Sequence, residues 1–196
     1  SVDTRNAATM RAALEAGAEI VNDVTALRHD PDAARVVADA ECGVVLMHMK
    51  GTEPRSMQQD ISYDDVATDV AAFLAERLAF AEAQGIARSR IALDPGIGFG
   101  KSLAENLALL NALPLFHALG RPLMLGVSRK RMIGALSAEE DAVNRLAGSI
   151  ALAVKGMEAG VHLLRVHDVA ETVQARNVWR GLRDSALTDY STLPAL

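Results

Sequence analysis

Six times along its 196 residues the chain passes from a short apolar run into a longer helical pattern, and that alternation limits the folds open to it. The apolar runs lie at 1–4, 19–23, 43–48, 90–93, 122–127 and 162–167. Repeats of this kind build a parallel sheet joined by right-handed helical crossovers. Helix signals fill the gaps between them. Thr4 is placed to cap a first helix with Ala8, Ala12 and Leu14 facing inward, and Gly17 ends it. Asp30-Pro31 is an N-cap and N1 pair for a helix running through Ala40. A third helix, from Tyr63 to Gln84, carries Val66, Val70, Phe73, Leu74 and Leu78 at helical spacing before Gly85. Ser102 and Glu105 form a capping box ahead of Leu107, Leu109 and Leu110. One long helix is predicted over 138–159, and Asp168 with Glu171 is expected to cap the last. Each strand ends on a polar group: Asp3, Asn22, His48, Asp94, Ser128, and Arg165 with His167. No G-x-G-x-x-G follows the first strand, so a dinucleotide fold is unsupported. In a (β/α)8 barrel all such strand ends share one face, and that face is the active site. The expected fold is therefore α/β, a (β/α)8 TIM barrel with about six of the eight units, over residues 1–183. Residues 184–196 read as a loose tail.

Composition narrows the function classes. Half of the residues are apolar and only 4% aromatic, which predicts an aliphatic core between helices and sheet. A net charge of −5 argues against a nucleic-acid surface, which needs clustered Lys and Arg. The lone Cys42 excludes a disulfide framework and fits a reducing cytoplasm, where it would serve as buried filler. No signal-peptide order and no apolar run long enough for a membrane span is present. A soluble cytoplasmic protein is expected. One polar loop, 49–62, is long, rich in Gly, Pro and Gln, and carries Lys50 and Arg55; loops of that length are uncommon in compact domains unless they serve function.

The residues with most chemistry in them are Asp94-Pro95-Gly96-Ile97-Gly98-Phe99-Gly100-Lys101. A strand delivers a carboxylate into a loop whose alternate glycines allow sharp turning and close approach to a ligand. The plainer alternative is a tight turn in which Asp94 caps only its own loop. Gly100-Lys101-Ser102 suggests a phosphate loop, but Pro95 stands where that motif needs its first glycine and offers no N–H. Arg165 and His167, two apart on a strand, point the same way just before a helix N-terminus, an arrangement suited to an anion. A surface pair between Arg165 and Asp168 is the competing possibility. Arg129 and Lys130 either add positive charge to the same corner or form a solvated basic turn. Asp94, Asn22 and Asp3 together suit the amino and lactam N–H groups of a flat heterocycle. Met47 offers it a soft apolar face. His48 has no second metal ligand at a matching spacing and is read as structural.

Taken in order, Val2-Asp3-Thr4, Ile20-Val21-Asn22-Asp23, Leu46 to Gly51, Leu93 to Lys101, Gly126 to Lys130 and Arg165 to Val169 make the chain resemble dihydropteroate synthase, nearly to Leu182. The resemblance implies a transferase that joins 6-hydroxymethyl-7,8-dihydropterin pyrophosphate to p-aminobenzoate and releases pyrophosphate. It implies that Asp3, Asn22, Met47, Asp94, Gly126 and Lys130 hold the pterin. Phe99, Ser128 and Lys130 would border the p-aminobenzoate pocket, where sulfonamides compete. Arg165 and His167 would bind pyrophosphate, and with Lys130 they are the expected catalytic groups. Mg2+, a homodimer and binding of neither nucleic acid nor membrane are further implications.

Set against the family pattern, the first two βα units have no counterpart here, including the loop that carries the magnesium-associated Asn. No metal ligand is therefore expected within these residues, and a truncated chain with weak or no activity is expected. Two other readings compete: an inactive pterin-binding module, and the pterin domain of a methyltetrahydrofolate-dependent methyltransferase. The latter has no need of the corner formed by Arg165 and His167.

Overall fold

The computed structural model describes residues 1–51 and 62–187. Six short strands follow one another in space as in sequence: β1 (Val2–Asp3), β2 (Ile20–Asp23), β3 (Gly43–Met47), β4 (Ile91–Asp94), β5 (Met124–Leu125) and β6 (Leu163–Leu164). Every pairing is parallel, with Asp3 beside Asn22, Asn22 beside Val45, and Met47 beside Asp94. A bridge from Leu93 to Leu123, with Leu93 N–H donating to Pro122 C=O at 2.9 Å, carries the sheet from β4 to β5. Around it lie α1 (Ala7–Glu15), α2 (Ala33–Asp39), α3 (Val66–Ala83), α4 (Leu103–Asn111), α5 (Arg131–Ser137), α6 (Leu146–Glu158) and α7 (Val169–Arg183). This is the (β/α) barrel order, with six strands.

The core is aliphatic. Leu46, Leu93, Leu123 and Leu125 from the strands are fully buried against Val70, Leu74 and Leu109 from the helices, with Phe116 among them. Burial of such side chains supplies roughly 2 kcal/mol each, which fixes the sheet and with it the strand ends. At the far edge β6 has only β5 beside it, and Leu163, Val169, Val173 and Leu182 are exposed.

Several local expectations are corrected. Thr4 does not cap α1: its hydroxyl accepts from Asn6 N–H, while the Asp30 carboxylate, reaching across from the β2–α2 loop, accepts from Ala7 N–H at 2.8 Å. Asp30 also accepts Asp32 N–H at 3.0 Å through its other oxygen, and α2 begins after Asp32, its N-cap. On α1 the buried positions are Ala7 and Met10, whereas Ala8 and Ala12 face solvent and Leu14 is half-buried. The third helix starts at Val66 rather than Tyr63, because the Asp65 side chain accepts from Thr68 N–H at 2.8 Å. The helix predicted over 138–159 begins only at Leu146, as α6. Ala138 turns left-handed (φ +55°) to end α5, and Asp141 accepts from Val143 N–H in a short 3₁₀ turn before α6. Asp168 stands at the N-cap of α7 but its side chain does not cap it. Ser102 and Glu105 do form the capping box. Residues 52–61, with Arg55, and 188–196 lie outside the described residues. No described helix is long and apolar enough to cross a membrane.

Candidate functional site

The carboxyl ends of the strands surround a cavity of ≈ 210 Å³. From β1, β2 and β3 come Asp3, Asn22 and Met47; from β4 and its loop, Asp94 and Phe99; from the turn after β5, Gly126, Ser128 and Lys130; and from the residues after β6, Arg165 and His167. Every site residue singled out in the sequence thus lines one space. A larger hollow, of ≈ 920 Å³, opens at the opposite ends of the strands, around Arg11, Glu15, Arg35, Asp39 and Arg90. Its mixed, solvated charges converge on no common point, and ligands of parallel barrels bind at the carboxyl ends.

The floor of the cavity is built by backbone pairing. Parallel register puts Asp3 directly beside Asn22, and the Asn22 amide donates to Asp3 Oδ1 at 3.0 Å. A carboxylate only accepts, so Asp3 fixes which way the Asn22 amide faces. Asn22 Oδ1 is left buried without a protein partner among the described residues, and Asn22 is only 5% exposed. A buried acceptor with no donor costs about 1–3 kcal/mol, so this is a place prepared for a ligand N–H. The other Asp3 oxygen accepts from Arg165, which reaches across from the opposite side of the cavity. Asp3 is therefore not a free acceptor.

Asp94 lines the same cavity from β4 and is buried. Burial pushes its carboxyl above the usual carboxylate range, while Gly96 N–H (2.7 Å) and the charges of Lys130 and Lys101 pull it back. The loop after Asp94 wraps against both neighbours. Gly96 (φ +68°) presses its α-carbon onto the His48 carbonyl, and Gly98 (φ +81°) leaves room for the Lys130 stem. Lys130 crosses the cavity mouth: its ammonium donates to Ile97 C=O and sits 4.2 Å from the centre of the Phe99 ring. Burial lowers Lys130 to about 8, against the pull of Asp94.

Across the cavity, Ser128 Oγ accepts from His167 N–H at 3.2 Å and lies 3.0 Å from His167 Nδ1. Arg165 and Asp168 are not partners. Asp168 is held by Arg129 through two bonds of 2.5 and 3.1 Å, which lower the Asp168 carboxyl. The Arg129 charge is thereby neutralised, and of that basic turn only Lys130 faces the cavity. Arg129 is itself left-handed (φ +58°), a conformation tolerated because Ser149 Oγ takes its N–H and Arg145 donates to its C=O. Arg145 and Ser149 escaped the sequence reading: a residue needed only to hold a turn leaves no motif. Asp23 left one, a D-x-T signature that went unused. Its carboxylate accepts from Thr25 N–H, Thr25 Oγ1 and Leu27 N–H, holding the left-handed Ala26 and Leu27. For Lys101 the sequence offered only a phosphate-loop likeness that Pro95 rules out.

His48 is buried beside β3, edge-on to Phe73 (4.8 Å), with Lys101 Nζ 2.9 Å from its Nδ1. Burial and the Lys101 charge push its pKa down to about 3. The unfolded chain therefore takes up this proton first as pH falls below about 6.5, and the folded chain only near 3. Stability should decline through that window, by roughly 1.4 kcal/mol for each unit of pKa difference at full effect. Urea unfolding of the native chain and of His48→Gln across this range measures it. The variant is expected to show the shallower acid slope; equal slopes would remove the account of His48 as a buried neutral imidazole.

This geometry agrees with what the chain is similar to. The family of pterin binding enzymes matches residues 1–167. The chain belongs to that family. It is 44% identical over 178 residues to dihydropteroate synthase of Escherichia coli (strain K12), covering 91% of this chain and 62% of that protein. Among solved structures, dihydropteroate synthase from Xanthomonas albilineans in complex with 7,8-dihydropteroate superposes with a TM-score of 0.86 at 45% identity, over 98% of this chain and 67% of that one. The Yersinia pestis dihydropteroate synthase with a sulfonamide drug gives 0.90 at 40% identity, over 94% and 66%. The chain thus spans less than two thirds of the length of the E. coli relative. Its fold, like that of these dihydropteroate synthases, is the TIM barrel, here a part of one.

Proposed function

We propose that the protein is a dihydropteroate synthase, joining 6-hydroxymethyl-7,8-dihydropterin pyrophosphate to p-aminobenzoate with release of pyrophosphate, on a barrel carried by residues 1–183. The observation that carries this reading is the orphaned, buried Asn22 Oδ1 in the same cavity as the enclosed Asp94 carboxyl. Two acceptors lining one cavity suit the amino and lactam N–H edge of a pterin, and Met47 supplies an apolar face for the ring. Lys130, bonded to Ile97 C=O, is placed to meet a ring acceptor while its stem borders the Phe99 pocket, where p-aminobenzoate would lie with Ser128 at its edge.

In the reaction the pterin methylene loses its C–O bond, and the electron pair leaves with pyrophosphate. The p-aminobenzoate nitrogen forms the new C–N bond and gives up a proton. Arg165 and His167 would stabilise the departing anion, and Lys130 adds charge from the other side. No covalent nucleophile is required. Magnesium would neutralise charge on the pyrophosphate when bound. The described residues gather no group of three or more His, Cys, Asp or Glu to hold that ion. Sulfonamides would compete for the p-aminobenzoate position. A cytoplasmic homodimer completes the reading, in keeping with the single reduced Cys42.

Isothermal titration of the 196-residue chain with the pterin pyrophosphate and Mg2+, followed by p-aminobenzoate with detection of dihydropteroate, tests it. Binding followed by product formation is the expected result. A folded chain that binds pterin and forms no product would leave an inactive pterin-binding module, and a folded chain that binds neither would overturn the assignment of the site.

A further inference from the structure

The run Gly100-Lys101-Ser102, so like a phosphate loop, puts its lysine to another use. Lys101 is 4% exposed, and its Nζ lies 2.9 Å from Gly96 C=O, 3.0 Å from Phe99 C=O and 2.9 Å from His48 Nδ1. An ammonium has three N–H donors, and here three acceptors meet it. None remains for a ligand. The acceptors belong to two different elements: the carbonyls to the glycine loop after β4, the imidazole to the end of β3. His48 is itself fixed, by the edge of Phe73 and by its own N–H, which donates to Asp94 C=O at 3.0 Å.

We propose that Lys101, gripping the back of the glycine loop and anchored on His48, is the positioning residue that turns the Asp94 carboxyl and the Phe99 ring into the cavity. The ligand it serves is the pterin of the function proposed above, and to that extent the inference rests on that reading. The rest of the loop is secured to the same end. Lys130 takes Ile97 C=O from the cavity side, Tyr63 Oη donates to Gly100 C=O at 2.8 Å, and Asn106 Oδ1 accepts Gly98 N–H at 2.6 Å. Of these only Lys101 joins the loop to β3, and it does so with two loop carbonyls at once. Without it, Phe99 C=O loses its Lys101 donor and Gly96 C=O keeps only Phe99 N–H, so the turn between them is held less firmly. Burial lowers Lys101 to about 7, with Asp94 opposing and Lys130 reinforcing that shift, so the lysine is held there at a cost that its three bonds offset.

Lys101→Met keeps the length of the side chain and removes all three donors. Amide hydrogen exchange is read at Gly96, Gly98 and Phe99, and at Val44, Val45 and Leu46 of β3, in the native chain and the variant. Exchange at the three loop amides is expected to rise by roughly 100-fold while the β3 amides keep their rates, because the loop opens locally and the sheet does not. Affinity for 6-hydroxymethylpterin is expected to fall about 10-fold in parallel. Lys101→Arg, which restores donors on a longer arm, should recover part of the protection. Loop rates equal to native, or loop and β3 rates rising together, would overturn the proposal, the second outcome marking a lysine that serves stability alone. Should Lys101→Met not fold, the ¹⁵N spectrum of His48 in the native chain decides: a bare Nδ1 and protonated Nε2 is expected, and a proton on Nδ1 would overturn the clamp. A native chain that fails to bind the pterin removes the synthase reading, while the exchange comparison still tests the loop.

Discussion

Asp94→Asn is expected to weaken pterin binding by about 100-fold while leaving the unfolding temperature unchanged or higher. The two effects have opposite signs because Asp94 is placed for a ligand rather than for the fold. Its carboxyl is enclosed, and burial raises its pKa, so the folded chain carries a desolvation cost for the charged form. Asparagine removes that cost and keeps an oxygen for Gly96 N–H, the one backbone bond the side chain accepts. Against a heterocycle's paired N–H groups, however, it offers a neutral oxygen and an amide that also donates. Charge-assisted bonds are roughly twice as strong as neutral ones, and a donor facing a donor leaves both unpaired. Lys130 and Lys101 lose an opposing charge in the variant, which moderates the stability gain. Titration calorimetry with 6-hydroxymethylpterin and thermal unfolding on the same preparation measure both terms. Unchanged affinity would remove Asp94 from the site, and affinity lost in step with stability would make it a structural acid.

How far the sequence speaks for the molecule differs between levels. The alternation of apolar runs and helix signals was enough for the parallel sheet and its order, because strand period and crossover handedness leave few alternatives. Of the polar strand ends, Asp3, Asn22, Asp94, Ser128, Arg165 and His167 line one cavity, while His48 does not. What was not legible is which charge pairs with which. From spacing alone Arg165 had Asp168 nearby, yet it crosses to Asp3, 162 positions away, and Asp168 takes Arg129. Such pairings depend on how the strand ends converge around a cavity, a three-dimensional fact that no local pattern encodes. Caps show the same limit. The capping box of Ser102 and Glu105 is local and was readable, whereas the cap of α1 comes from Asp30, 23 positions from its partner. Pro95 was enough to rule out a phosphate loop around Lys101, but only folding shows that its three acceptors are the protein's own.

The glycine loop also sets the sharpest steric demand in the molecule. Gly96→Ala is expected to cost about 3 kcal/mol or more, and to do so through two separable terms. The first is conformational: Gly96 sits at φ +68°, where a side chain costs roughly 1–2 kcal/mol. The second is overlap. A methyl on Gly96 would lie 1.9 Å from the His48 carbonyl oxygen and 3.3 Å from Met47 Cγ. Met47 can shift, being a flexible side chain, but the carbonyl cannot, because the same His48 is tied by its N–H to Asp94 C=O between β3 and β4. Relief therefore requires the loop to lift off β3, which also withdraws the Gly96 carbonyl from Lys101. Gly85→Ala provides the control. Gly85 has φ +87° and nothing within 4 Å of where its methyl would stand, so it bears the conformational term alone. Urea unfolding of both variants should give a loss at position 96 at least twice that at position 85. Equal losses would mean that the loop yields without resistance, and that the close seat of Gly96 on His48 contributes nothing to holding Asp94 in place.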